Sequence, residues 1–109
     1  MTETQTQLNS PLGALIKCAR NEQGLGLRET ARQLGISPTY LSRLENGFET
    51  KPSDELIFKM AETLSLATHD LFKLAKRIPK TALDLISDDE TLLEKVLNLV
   101  EDHTNPKAE

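Results

Sequence analysis

Cysteine occurs once in this chain of 109 residues, at Cys18. No internal disulfide can form, and a reducing cytoplasm is the simplest compartment for it. Long apolar runs are also missing: the longest are a few residues, far short of the roughly 20 needed to cross a bilayer. The opening MTETQTQLNS has neither a basic start nor an apolar stretch, which argues against a secretory signal there. Aromatic residues are 4% of the chain, and no segment alternates apolar and polar residues as a half-buried strand does. His69 and His103 lie far apart, so no spacing resembles a zinc set. A glycine-rich phosphate loop and a Ser/His/Asp arrangement are both missing. The expectation is a protein that is not an enzyme and needs no metal or cofactor. His69 reads as helix surface, and Cys18 as a small packed or half-buried residue.

Hydrophobic residues are 38% of the chain and charged residues 28%, a balance that fits one soluble globular domain. The formal net charge of −4 is unevenly spread. Residues 1–80 hold 11 Lys and Arg against 9 Asp and Glu, whereas residues 81–109 hold 2 against 8. A mildly basic front with an acidic tail fits a nucleic-acid module followed by a different element, although acidic tails are often only solvated surface.

Residues 1–9 lack periodicity and read as a disordered arm. Helix-start chemistry then appears three times, at Ser10-Pro11, Ser37-Pro38 and Pro52-Ser53. A serine N-cap satisfies an orphan N–H, and proline at the first helical position loses no bond. After Ser10-Pro11, Leu12, Leu15, Ile16 and Ala19 recur at helical spacing until NEQGLG, where Gly24 and Gly26 read as breakers. A short second helix covers about 28–34, with Ala31 and Leu34 inward. Gly35 lies just past its end, where a left-handed backbone costs a residue with Cβ about 1 kcal/mol. The third helix runs from Pro38 to about Asn46, with Leu41 and Leu44 inward, and Gly47 closes it. After the loop FETKP, Leu56, Ile57, Met60, Ala61 and Leu64 mark the inner face of a fourth helix. Thr68 reads as the N-cap of a fifth, which carries Leu71, Phe72 and Ala75. Past Pro79 a short helix holds Ala82, Leu83, Leu85 and Ile86, and Ser87 or Asp88 caps a last one. The fold class is therefore all-α: five helices over residues 10–77, one or two C-terminal helices over 78–102, and a disordered tail over 103–109.

LGISPTYLSRLENG stops one helix and starts another within three residues. Glycine in the turn permits a steep crossing, and Ala31 permits close approach. That is the helix-turn-helix arrangement, whose second helix enters the DNA major groove. With a helix before it and KPSDELIFKMAETL after it, LRETARQLGISPTYLSRLENG resembles the lambda-repressor/Cro-like (Xre-type) helix-turn-helix DNA-binding family over about residues 11–77. Ala31, Gly35, Ser37, Leu41 with Leu44, the Glu45-Asn46-Gly47 stop and the Pro52-Ser53 restart carry the resemblance together. Two positions depart from the family pattern. Thr30 stands where a larger apolar residue is usual, and Ser65 where glycine is usual.

The resemblance implies a sequence-specific double-stranded DNA-binding transcriptional regulator, a cytoplasmic repressor bound to a near-palindromic operator as a homodimer. It implies base-edge contacts from Thr39 and Arg43, four apart on one helical face, with Pro38 and Tyr40 beside them. Arg43 can fork onto guanine O6 and N7. For Tyr40 a ring packed on the second helix is the competing reading. Phosphate contacts fall to Ser42, Asn46, Lys51 and the N–H groups near Leu27 and Arg28, where plain surface is an equal alternative for Arg28. An ion pair between Arg20 and Glu45 is implied as a brace for the third helix, against a coincidental surface pair.

The tail adds a broad apolar face. Leu92, Leu93, Val96, Leu97 and Val100 form a candidate dimer interface; folding back on the domain's own core is the other way to cover them. An antitoxin that represses its own operon and binds a toxin through this segment is the alternative function. Double-stranded DNA, a second copy of the chain and a protein partner on the C-terminal segment are the expected partners, with no membrane.

Overall fold

The computed structural model describes residues 10–104. The expectations of a disordered arm at 1–9 and of disorder at 105–109 lie outside the described residues. Seven helices and no strand are present among the described residues: α1 Pro11–Glu22, α2 Leu27–Leu34, α3 Pro38–Glu45, α4 Asp54–Leu64, α5 Thr68–Ala75, α6 Lys80–Asp88 and α7 Glu90–Thr104. They divide into two compact units between Arg77 and Ile78.

The first unit begins its helices by side-chain capping. The hydroxyls of Ser10, Ser37 and Ser53 accept from the N–H groups of Gly13, Tyr40 and Leu56 at 3.1, 3.0 and 3.1 Å. Each is the N3 position of its helix, and each cap stabilises by about 1 kcal/mol. At the end of α2, Gly35 takes φ +75°, and Ile36 N–H donates to the Ala31 carbonyl at 3.0 Å. Ser65 also adopts the left-handed backbone, at φ +57°, so this departure from the family pattern keeps the conformation glycine would have there. A side chain in that region costs about 1–2 kcal/mol. The turn is held by Leu66 N–H on the Ala61 carbonyl at 2.9 Å, and by the Gln23 amide, which donates to the Leu64 carbonyl at 2.6 Å.

The core draws on all five helices of this unit. Leu12, Ile16 and Ala19 meet Ala31, Leu34, Leu41 and Leu44, backed by Ile57, Met60, Leu64, Leu71 and Phe72. Each fully buried aliphatic side chain contributes about 1.5–3 kcal/mol. Thr30 is fully buried among them, and its hydroxyl donates to the Gly26 carbonyl at 2.9 Å, so the polar group is satisfied. Gly13 is buried where α1 crosses the end of α3; a Cβ there would lie 2.6 Å from the Glu45 carbonyl oxygen. Arg77 closes the unit by donating to the Pro52 carbonyl and to the Asp54 carboxylate.

Several local expectations need correction. Thr68 lies inside α5, and Ala67 occupies the cap position with no side-chain bond. Neither Ser87 nor Asp88 caps α7: both end α6, and Asp89 Oδ1 accepts from Leu92 N–H at 3.0 Å. Capping needs an extended backbone with its side chain turned onto the third residue ahead, and the chain provides that one residue later. The last helix continues to Thr104, through residues expected to be disordered, with the Thr104 hydroxyl on the Val100 carbonyl at 3.0 Å. Gly26 is the N-cap of α2 at φ −74°, so only Gly24, at φ +70°, breaks α1 in the left-handed region. Cys18 is exposed rather than packed, because it falls on the outer face of α1. In the second unit α6 packs on α7, and neither helix buries a residue completely.

Candidate nucleic-acid interface

Helix α3 is fixed from beneath and open above. Leu41 and Leu44 are fully buried, and α3 packs against α1 and α2. At its C-terminal end Glu45 meets Arg20 of α1 in a fork, with Nε to Oε2 at 2.7 Å and Nη2 to Oε1 at 3.0 Å. A third guanidinium nitrogen donates to the Leu25 carbonyl at 2.9 Å. The side chains of Arg20 and Glu45 are only 11% and 3% exposed, so this is a desolvated pair rather than a surface one. The Glu45 hydrogen bonds hold the Arg20 pKa above the ordinary arginine value, against the opposing effect of burial.

The outer side of α3 presents Thr39 and Arg43, both exposed, with Pro38, Tyr40 and Ser42 half-buried beside them. Tyr40 packs partly against the core and lines a groove with Leu34, Ile36 and Leu56. Burial raises its phenol pKa, and the Glu49 carboxylate adds to the shift. Asn46 turns back on its own helix: its amide donates to the Ser42 carbonyl at 2.8 Å and to the Ser42 hydroxyl at 3.4 Å. Arg43 extends over Phe48, with 5.6 Å from the guanidinium carbon to the ring centroid.

Flanking groups complete the surface. The N-terminus of α2 has no side-chain cap, which leaves the first N–H groups, at Leu27 and Arg28, available to an anion. Arg28 is exposed and Leu27 half-buried. Lys51 is exposed, with its backbone N–H on the Glu49 carboxylate at 3.2 Å. Arg32 pairs on the outside of α2 with Glu29, which Gln33 also contacts at 2.9 Å. These bonds, the Gln33 amide first, lower the Glu29 pKa.

The proposed dimer set is split in the second unit. Leu92, Leu93 and Val96 are half-buried, while Leu97 and Val100 are exposed, as are Leu83, Leu85 and Leu99. Among the described residues no three His, Cys, Asp or Glu side chains converge as a metal site would require. No helix among them is long and apolar enough to cross a membrane.

Gly13, Gln23, Arg77 and Phe48 were not singled out by sequence reasoning. Only Phe48 carried a usable signal: an aromatic ring in a polar loop directly after the stop of α3.

Residues 16–72, just over half of the chain, match the family described as Helix-turn-helix. The HTH-type transcriptional regulator SinR of Bacillus subtilis (strain 168) is 35% identical over 60 residues, 55% of this chain and 54% of SinR. The chain spans about half the length of the curated relatives it matches. A crystal structure of SinR, the master regulator for biofilm formation, in complex with DNA matches with TM-score 0.52 and 34% identity, over 56% of this chain and 97% of that one. A SinR protein/SinI protein complex matches with TM-score 0.52 and 28% identity, over 90% of this chain and 82% of that one.

Proposed function

The chain belongs to the lambda-repressor/Cro-like (Xre-type) helix-turn-helix family, and on that premise we propose that it is a sequence-specific double-stranded DNA-binding transcriptional regulator. The observation that carries this reading is α3 itself. Its apolar side is locked into the core and its end is clamped by the Arg20–Glu45 fork, while Thr39 and Arg43 stand exposed on the other side. A rigid rod with polar groups outward is what major-groove reading requires. The similarity to SinR, which has been crystallised with DNA, supports the same reading.

In this mechanism Arg43 forks onto a guanine and Thr39 meets the neighbouring base edge, with Pro38 and Tyr40 bordering them. The Leu27 and Arg28 N–H groups, Ser42 and Lys51 hold phosphates, and Asn46 joins them by exchanging its bonds to Ser42. A single module buries only about 600–1,000 Å² on DNA, so two copies on a near-palindromic operator give a specific site. The apolar face of α7, with Leu97 and Val100 exposed, supports a homodimer through the C-terminal segment. We read the regulator as a repressor, one that blocks transcription by occupying its operator. The SinR/SinI match extends over 90% of the chain and supports the C-terminal segment as a place for a second protein. The antitoxin alternative receives no support from these relatives.

The test is selection of a binding sequence from a random duplex pool, followed by anisotropy titration across salt concentrations. Arg43→Ala is expected to cost about 1–3 kcal/mol on the selected duplex and to relax one base position. Lys51→Ala is expected to weaken all duplexes alike and to reduce the salt slope by about 1. Equal affinity of the wild-type chain for every duplex would end the sequence-specific reading.

A further inference from the structure

We propose that Phe48 is a positioning residue for Arg43: its ring holds the guanidinium above the recognition surface before DNA arrives. The inference rests on the reading above, in which Arg43 contacts a base. Four observations carry it. Gly47, at φ +87°, turns the chain sharply after α3, a conformation that favours glycine. The N–H groups of Phe48 and Glu49 then both donate to the Arg43 carbonyl, at 2.9 and 3.1 Å, so the loop is anchored on the residue whose side chain it supports. The Arg43 guanidinium carbon sits 5.6 Å from the Phe48 ring centroid, within cation–π range. Finally, Phe48 is 52% exposed and takes no part in the core, so packing does not account for an aromatic ring at this place.

The arrangement suits a residue that has to read a base. An arginine side chain has a large rotamer entropy, and whatever is lost on binding weakens the complex. A ring beneath the cation narrows that freedom in advance. It also consumes none of the guanidinium N–H donors, so the fork stays available for guanine O6 and N7. Among the described residues no carboxylate pairs with Arg43, so no ion pair has to break when DNA binds.

The experiment uses the full chain and a fluorescein-labelled duplex carrying the sequence it selects from a random pool, with duplexes in which each selected base pair is replaced in turn. Phe48→Leu keeps apolar bulk and removes the π face; Phe48→Tyr keeps the face. Phe48→Leu is expected to weaken the selected duplex about two- to five-fold. It should reduce discrimination only at the base pair that Arg43→Ala relaxes, with the salt slope unchanged and the thermal midpoint lowered by no more than about 5 °C. Phe48→Tyr should restore affinity, and Phe48→Leu should have no effect in an Arg43→Ala background. An unchanged affinity for Phe48→Leu overturns the positioning role and leaves the DNA reading of Arg43 intact. So does an equal loss in the Arg43→Ala background, because the ring would then act without the arginine. If Arg43→Ala alters no base preference, or the pool yields no preferred sequence, the reading of Arg43 fails and the inference falls with it.

Discussion

Leu41 of α3 and Leu97 of α7 sit on the apolar stripes of amphipathic helices, and the same periodicity marks both. Leu41 is 0% exposed and Leu97 is 57% exposed. The difference lies in the neighbours each unit supplies. Helix α3 packs against both α1 and α2 inside a five-helix core. In the second unit α7 packs on α6, and no residue of either helix is fully covered. Two helices cover only part of each other's stripe, and so short a segment cannot enclose a core. Periodicity therefore states that a face must be covered, and leaves open what covers it.

The largest expected effect tests whether the first unit depends on its desolvated charges. Arg20→Ala leaves the Glu45 carboxylate, 3% exposed, without its partner. Stability in urea denaturation should fall by about 3–5 kcal/mol, while Arg20→Met with Glu45→Leu should lose far less. A single-variant loss below about 1 kcal/mol would mean the pair behaves like a surface one.

Next comes Gly13→Ala. A new Cβ would press on the end of α3, 2.6 Å from the Glu45 carbonyl oxygen, and should cost about 1–3 kcal/mol. A gain in stability, the usual result of replacing an exposed helical glycine, would contradict the close approach of α1 and α3.

Leu97→Ser reverses the comparison. At dilutions where the chain is monomeric its stability should change by no more than about 0.5 kcal/mol. At higher concentration the proposed dimer should give way to monomer in sedimentation, and a wild-type chain that stays monomeric there would remove the dimer reading. A loss of about 2–5 kcal/mol in the monomer, as for a buried leucine, would show that the second unit has a core after all.

The smallest effect concerns the outer face of the dense unit. Cys18 lies 3.6 Å from the Glu22 carboxylate. That hydrogen bond first, and the carboxylate charge second, raise the thiol pKa. The thiolate is disfavoured in the folded chain, so the pH profile of alkylation should sit alkaline of an ordinary thiol. Glu22→Gln should bring it back. A normal profile in the unmodified chain would contradict the contact.

Much of the helix layout was legible because its signals are local. Ser10-Pro11, Ser37-Pro38 and Ser53 act on residues three positions ahead, and Gly35 answers to its own φ. The caps at Thr68 and at Ser87 or Asp88 were misplaced for a related reason. Several neighbouring hydroxyls and carboxylates can cap, and the path of the chain selects among the positions. Nothing in the local pattern singles out Gly13, since its constraint comes from the backbone of α3. Cys18 was expected to be packed or half-buried and is exposed, because a small thiol gives no indication of which side of α1 it takes. The resemblance supplied the Arg20 and Glu45 pairing, but neither its fork nor its burial.

By itself the sequence determined the all-helical architecture, the turn between α2 and α3, and which stripe of each helix is apolar. These depend on interactions within about four residues, which the order of residues states directly. Only the tertiary structure decided that α1 approaches α3 closely enough to require Gly13, and that Phe48 lies under Arg43. It likewise decided that α6 and α7 leave their leucines largely uncovered. Such contacts join residues on different elements, and their geometry follows from the packing of the whole unit, which no local pattern encodes.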